Sequence, residues 1–410
     1  MKILWISHVL PFFPPAGGVI QRSYNLIERL SRKNKLYLFA FNQKAWLSSK
    51  IEIRKAIEVM NYFCREIRIF ELLSDKSRIF RIYIVMKGFF SKYGYTINWT
   101  KSKLLDLEIR KFLSLENVDL IHCDTIGLAE YVKYYFNIKK ALDHHNIESC
   151  MMLRRAKREK NPLKKFYFYL EGLKLQRYEA KVCPMFDINL VVSKADRKRL
   201  LKIAPNAKVE IIPNGVDTEY FKPEKSKHIP HTLLFTGTLN FYPNEDAVLY
   251  FFYNIWPLLK RIYPDLIFII AGKSSTLRIK EITKRDPNIK LTGYVEDIRP
   301  YMEKAEVYIC PIRDGGGTKL KLLEAMAMKK AIVTTSIGAE GLDVVNNKHL
   351  LIADNPKDFA IKVLLVLNNP ELRKQLGENA RKLVEERYCW DIIGEKLNQI
   401  YEKLCAGYVE

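Results

Sequence analysis

No run of about 20 apolar residues, the length a helix needs to cross a bilayer, occurs in the 410 residues, so no transmembrane helix is expected. The start, from Met1, superficially resembles a secretion signal, but His8, Pro11, Pro14 and Pro15 interrupt it. A buried first strand followed by a loop fits that pattern better. Cysteines are few and scattered: Cys64, Cys123, Cys150, Cys183, Cys310, Cys389 and Cys405 make no Cys-x-x-Cys pair and no cluster with histidine. This excludes a zinc site and a disulfide framework, and reads as reduced thiols in a cytosolic protein. Internal repeats and low-complexity tracts are absent. Helix-turn-helix, zinc-finger and aromatic RNA-binding patterns are also missing, which puts nucleic acid last among partners.

Acidic residues are in short supply, 46 against 68 Lys and Arg, for a formal net charge of +22. Such an excess implies a polyanionic partner: anionic lipid, acidic glycan or a pyrophosphate-linked acceptor. Part of it is concentrated. Residues 151–180 hold nine basic residues, from Arg154 to Arg177, against Glu159, Glu171 and Glu179, with Phe166, Tyr167, Phe168 and Tyr169 among them. A second basic and aromatic stretch runs from Arg78 to Lys103. Each stretch reads either as a solvated helix face or as a surface for an anionic membrane.

What the chain does contain is alternation. Short apolar strand candidates at Ile3–Ser7, Leu36–Phe41, Glu66–Phe70, Asp119–His122, Lys139–Leu142 and Ile188–Val192 alternate with helical patterns. A second series follows at Thr232–Phe235, Leu266–Ile270, Ile289–Thr292, Val307–Ile309, Ala331–Thr334 and His349–Ile352. Alternation of this kind predicts parallel sheets covered on both faces. Two series, in a chain too long for one core, predict two doubly wound α/β domains of about 200 residues each, joined around Pro205 to Pro223. Ligands of such domains bind where strand C-termini open onto the space between them.

The stretch from Cys310 to Met328 carries the strongest chemical signal. A strand runs into Gly315, Gly316 and Gly317, and a helix is expected from about Thr318. Consecutive glycines let backbone approach a bulky anion, and a helix start turns free N–H groups and partial positive charge toward it. Lys319 and Lys321 add formal charge, and Glu324 is placed to accept hydrogen bonds from sugar hydroxyls. The loop is no P-loop, since Thr318 precedes Lys319, and it lies too far along the chain for a first-strand dinucleotide loop. These features suggest a nucleotide diphosphate carrying a sugar. In the first half, Gly17 and Gly18, after Pro14, Pro15 and Ala16, read as a simple turn or as a second close approach before a helix over Ile20–Leu30. His144 and His145 read as surface residues or as groups facing a reacting sugar; with no carboxylate at ligand spacing they make a poor metal site.

Taken in order, Gly17-Gly18, His145–Ser149, Val192–Asp196, Ile212–Phe221, Phe235–Leu239, Pro243–Ala247, Gly293–Tyr301 and the glycine stretch resemble the retaining GT-B glycosyltransferases of glycosyltransferase family 4 over nearly the whole chain. The resemblance implies two Rossmann-like domains facing a cleft: an acceptor-binding domain over 1–205, a nucleotide-sugar domain over 206–385, and a helix over 386–410 crossing back. It implies transfer from a UDP- or GDP-sugar to a saccharide or lipid-linked acceptor, with retention and with neither metal nor other cofactor. The Gly293–Asp297 turn, through Tyr294 and Val295, would grip the base. Amides of Lys319 and Leu320 would touch phosphate and Glu324 the ribose. Gly17 and Gly18 would approach donor phosphate and sugar, and His145 would sit beside the transferred sugar. Gly237, Asn244, Gly315, Gly316, Gly317, Thr318 and Lys321 complete the expected donor site, with Lys319, Asp314 and His145 as catalytic groups.

Two departures from the family pattern stand out. The first Glu of its E-x7-E motif is Gly316 here, with Asp314 as a substitute. The Arg and Lys usual after the first strand of the second domain are absent from Gly237–Asn244; Lys319 and Lys321, with Arg22 or Lys273, would replace their charge. No Asp-x-Asp occurs to hold a metal as in GT-A enzymes. The alternative is a non-catalytic subunit of the same fold that binds a partner transferase or glycan. An epimerase or hydrolase fits the motif order less well.

Overall fold

The structure, a computed structural model, describes residues 1–15, 17–224 and 228–407. Ala16, of the Pro14–Gly18 loop, lies outside them. The chain divides into two compact units, Met1–Pro213 with Ile393–Glu410, and Asn214–Ile392.

Unit 1 is built on seven parallel strands: β1 (Lys2–Ser7), β2 (Lys35–Asn42), β3 (Cys64–Glu71), β4 (Leu120–Cys123), β5 (Lys139–His144), β6 (Ile188–Val191) and β7 (Val209–Ile211). β1 and β2 are continuous apolar runs rather than alternating ones, because helices cover both faces of a parallel sheet; all but the first residue of each is buried. The order is β3-β2-β1-β4-β5-β6-β7, so the winding reverses between β1 and β4. Several intervening helices start where a side chain satisfies a first-turn amide. Ser49 forms a capping box with Glu52, and Ser102 and Ser193 accept from Leu105 and Asp196. β7 was not anticipated. It is three residues at the sheet edge with only Val209 buried, too short for a hydrophobic pattern.

The last helix, Trp390–Cys405, belongs to unit 1 from Ile393 onward. Gly394 lies so close to the Gly18–Ser31 helix that a Cβ there would fall 2.4 Å from the Arg29 Cβ. Asn34 donates to Asn398 at 2.7 Å, and Tyr401 Oη meets His122 Nδ1 at 2.5 Å in the interior.

Unit 2 has six parallel strands: β8 (Thr232–Thr236), β9 (Ile267–Ala271), β10 (Ile289–Gly293), β11 (Val307–Cys310), β12 (Ala331–Thr334) and β13 (Leu351–Ile352). Their order, β10-β9-β8-β11-β12-β13, reverses between β8 and β11. The last strand is shorter than the expected His349–Ile352. His349 instead turns the chain, its Nδ1 accepting the Val345 amide at 2.9 Å. Each sheet has its own core, around Phe39, Phe41 and Phe112 in unit 1 and Phe235, Phe251 and Phe268 in unit 2. All seven cysteines are free thiols.

Candidate active site

In unit 2 the chemistry gathers at the β8–β11 reversal, where doubly wound sheets open a crevice. Three adjacent strands run into glycines with positive φ: Gly237 after β8 (152°), Gly272 after β9 (157°) and Gly293 at the end of β10 (73°). Contact dictates two of them. A Cβ on Gly272 would lie 1.7 Å from the Gly237 carbonyl oxygen, and one on Gly237 would lie 2.6 Å from the Lys321 ammonium. Backbone therefore floors the crevice.

Over that floor reaches Lys321, from the Leu320–Ala327 helix. Its Nζ donates to Asn244 Oδ1 at 2.7 Å and to the Thr236 carbonyl, and lies 4.3 Å from the centre of the Phe235 ring. Burial pushes this ammonium down to about 8. Asn244, in the first turn of the Tyr242–Tyr250 helix, donates in turn to the Thr238 carbonyl at 2.9 Å. Glu324 sits one turn past Lys321, half-buried.

The glycine loop leaves β11 and is braced from both ends. Arg313 forks onto Asp246 (2.7 and 3.1 Å) and lies 4.0 Å over the Tyr250 ring. Asp314, nearly buried, accepts the Gly315 amide at 2.7 Å. Gly315 and Gly317 take φ of 109° and 63°, which other residues rarely adopt. Lys319 folds back over the loop, donating to the Gly316 and Gly317 carbonyls at 3.1 and 2.9 Å. The Thr318 hydroxyl is buried without a partner among the described residues. The helix begins at Leu320, two residues later than expected at Thr318. Lys319 is its N-cap, with extended backbone, so the loop is longer and the helix shorter than the sequence suggested. In the Gly293–Asp297 turn Tyr294 is 72% exposed and Val295 half-buried. Asp297 is fixed by the Arg299 amide (2.9 Å) and guanidinium (2.8 Å), and Arg299 also covers the Tyr220 ring.

Unit 1 gathers its polar groups at the matching reversal between β1 and β4. Asp124, fully buried just past β4, accepts from Ser7 Oγ and Ser23 Oγ, each at 2.7 Å, on one oxygen. Its other oxygen meets His145 Nε2 at 2.7 Å. Burial works to raise this carboxyl, but His145, His8 and His122 around it hold it well below the usual range. For His145 burial works downward and Asp124 outweighs it, so the imidazole is raised above its ordinary value. His8 is pushed down to about 4 by burial. His8, Asp124 and His145 place ligand-type atoms within 4.8 Å of one another. The carboxylate that the sequence does not offer at ligand spacing is supplied by the fold from just past β4, 21 residues before His145. His144 differs from its neighbour. It is the buried last residue of β5 and meets Asn189 at 3.1 Å, a structural role.

Arg22, an expected source of charge for the diphosphate, lies in the interior with a carboxylate partner. It is wholly buried, forks onto Asp143 (2.7 and 2.9 Å) and donates to the Pro213 carbonyl at 3.0 Å. Its side chain shares a helix face with Asn25 and Leu26, both buried. Gly17, with φ of 79°, is the exposed N-cap of the Gly18–Ser31 helix, and the Trp46 ring leaves little room for a Cβ there. Beside His8 opens a cavity of about 350 Å³ lined by Trp99, Glu148, Arg155, Tyr167 and Phe168. Burial raises the Glu148 carboxyl to about 7.

Two doubly wound parallel sheets, with polar clusters at both winding reversals and a glycine cradle in the second, define the architecture of the GT-B glycosyltransferases. Matching family models cover residues 16–220, Glycosyltransferase Family 4, and residues 230–369, Glycosyl transferases group 1. The chain belongs to this family of glycosyltransferases. It is 24% identical over 305 residues to an uncharacterized 44.6 kDa protein in the cps region of Klebsiella pneumoniae, spanning 70% of this chain and 74% of that one. It is 26% identical over 235 residues to the phosphatidyl-myo-inositol mannosyltransferase of Mycobacterium tuberculosis, spanning 53% of this chain and 60% of that protein. Its fold matches Anabaena HepE in complex with UDP, with a TM-score of 0.70 at 12% identity, covering 98% of this chain and all of the other.

Proposed function

We propose that unit 2 binds a nucleotide-diphosphate sugar and unit 1 the acceptor, and that the sugar is transferred with retention of configuration. The observation that carries this reading is the Gly237–Lys321–Asn244 cluster beside the glycine loop at the β8–β11 reversal. Negative charge grows on the departing diphosphate as the glycosidic bond stretches, and prearranged donors must meet it. Lys321, the amides at the start of the Leu320–Ala327 helix and the Thr318 hydroxyl are such donors. Lys319, bonded to its own loop's carbonyls, can exchange them for phosphate oxygens. Asp314 holds the Gly315 turn in shape. Glu324 accepts from the ribose, and Tyr294 and Val295 offer backbone to the base. Gly17 and Gly18 give phosphate and sugar a bare helix start in unit 1. His145, oriented by Asp124, stands beside the transferred sugar, and the diphosphate itself helps deprotonate the acceptor. These donors act without metal or other cofactor.

HepE's complex with UDP supports a UDP-sugar, though backbone reading of the base also suits GDP. The mycobacterial relative's name supports a lipid-linked acceptor, and the cps relative a cell-surface polysaccharide. The cavity beside His8 has the aromatic walls and carboxyl that a saccharide acceptor needs.

Incubating the protein with a nucleotide-sugar panel, with and without membrane extract, should give nucleotide release that depends on the extract. Binding without release under every acceptor would instead make the chain a non-catalytic subunit. Anomer-resolved NMR of the product should show retained configuration, and an inverted product overturns that part. Lys319→Ala removes a charge-assisted hydrogen bond of about 1.5–3 kcal/mol, so kcat/KM should fall roughly ten- to a hundred-fold. A fall within about two-fold would remove Lys319 from the mechanism.

A further inference from the structure

The Arg78–Phe90 helix of unit 1 is apolar where a surface helix should be polar. Nine of its thirteen residues are large and apolar, yet only Ile84 and Gly88 are buried. The rest point outward, Ile79 and Phe90 at 77% exposure, Ile82 at 57% and Tyr83 at 51%. The helix is fixed in this orientation. Arg81 Nε donates to the Ser74 carbonyl at 2.9 Å at its start, and Lys174 Nζ clamps the carbonyls of Gly88, Phe89 and Ser91 at its end (2.6–2.9 Å). Gly88 presses on the following turn so tightly that a Cβ would fall 2.8 Å from the Tyr95 nitrogen. The Pro162–Val182 helix, which supplies Lys174, adds exposed Leu163, Phe166 and Tyr169.

Charge decides what this face meets. Arg78, Lys87, Lys92, Lys164 and Lys165 are exposed around it, whereas Asp75 is paired with Arg81 at 3.6 Å and Glu171 is taken up by the Tyr95 and Thr96 amides. Lys101 is pushed downward by burial and then by neighbouring Lys87, a sign of uncompensated positive charge. Among the described residues no helix is long and apolar enough to cross a membrane. A surface helix with exposed apolar side chains and a basic border suits the headgroup region of an anionic bilayer.

We propose that the Arg78–Phe90 helix and the start of the Pro162–Val182 helix seat the protein on an anionic phospholipid bilayer, apolar side chains in the interface and lysines against headgroup phosphates. The second of these helices, through Tyr167 and Phe168, lines the acceptor cavity together with Tyr95, against whose backbone Gly88 of the first helix packs. A lipid-linked acceptor would then enter from the surface on which the protein sits. Burying one large side chain fewer weakens binding about ten- to a hundred-fold.

Flotation of the whole protein with phosphatidylcholine vesicles, alone or mixed with phosphatidylglycerol, reads this directly and needs no sugar transfer. The protein should float with the mixed vesicles, much less with neutral ones, and less again as salt rises. I82D/F90D should lose at least about ten-fold in vesicle affinity while keeping the wild-type melting temperature and nucleotide binding. Should that variant misfold, R78E/K87E, which alters only exposed charges, must give the same loss. Equal flotation with both vesicle types, none with either, or unchanged flotation of a folded variant overturns the proposal. So does a halved solution mass in I82D/F90D, because the face would then join two copies of this chain.

Discussion

Lys321→Met is expected to lower kcat/KM for sugar transfer by about a hundred- to a thousand-fold, the usual consequence of deleting one donor aimed at developing charge. The reasons lie in its surroundings. Lys321 is held at the winding reversal by Asn244 and the Thr236 carbonyl, close over Gly237, where a Cβ would fall 2.6 Å from its ammonium. Lys319 is taken up by the Gly316 and Gly317 carbonyls, and Arg313 beside the loop is paired with Asp246. Fold stability should change by no more than about 2 kcal/mol, because the two acceptors left unpaired are partly offset by the relief of burying an ammonium.

The same burial gives this lysine a pH signature. Its folded value, about 8, lies below the ordinary 10.5. Between those values the unfolded chain binds more protons, so stability rises with pH across that window in the wild type and not in Lys321→Met. Ligand binding runs the other way. A diphosphate favours the ammonium form, so above about pH 8 binding takes up a proton and affinity for UDP or GDP falls as pH climbs, by at most about ten-fold per unit. Calorimetry in buffers of different protonation enthalpy counts that proton. A flat affinity profile from about pH 7.5 to 9.5 in the wild type, or a slope that survives in Lys321→Met, would show that Lys321 does not meet the phosphates.

How much of this was legible beforehand depends on sequence distance. The strands of both sheets could be read because parallel strands buried on both faces are apolar throughout, as in Trp5–Ile6 or Phe268–Ile270. β7 escaped because an edge strand of three residues carries no pattern. The glycine cradle was readable because Gly315 to Glu324 is contiguous, and three glycines followed by two lysines at a helix start point to an anion. Its helix start was misplaced because Lys319 gives no cap signal: the turn is set by Asp314 and by the lysine's grip on carbonyls, neither of which propensity describes. Unit 1 was the harder case. Asp124 touches Ser7 across 117 residues and Ser23 across 101, and Arg22 reaches Asp143 across 121. Nothing local distinguishes Asp124 from any Asp after a strand; only the topology, which sets β4 beside β1, brings them together. The burial of Arg22 left no local sign either, since its partner Asp143 comes beside it only once β5 is placed.

Asp124→Asn should lower kcat by about a hundred-fold or more, the range for losing a group that fixes a catalytic imidazole. The substitution preserves size and can still accept from Ser7 or Ser23, so the fold should survive. What it removes is the charge opposite His145 Nε2. In the wild type that charge outweighs burial and holds the imidazole above its ordinary 6.5. In the variant burial acts without that opposing charge, and the ring should titrate below its ordinary value, neutral at physiological pH. The sign for stability follows. The pair contributes fully below the unfolded histidine value and above the unfolded carboxylate value, and its contribution is lost as pH rises through the raised folded value of His145. The variant should therefore lose about 1–3 kcal/mol near pH 6 and progressively less at higher pH. Carbon-detected NMR of the His145 ring separates this from simple structural damage, because a ring exposed by damage would titrate at its ordinary value and not below it. Transfer within about two-fold of wild type, or a His145 that still titrates above its ordinary value in Asp124→Asn, would mean that the carboxylate only ties β4 to the first helix and that catalysis does not pass through it.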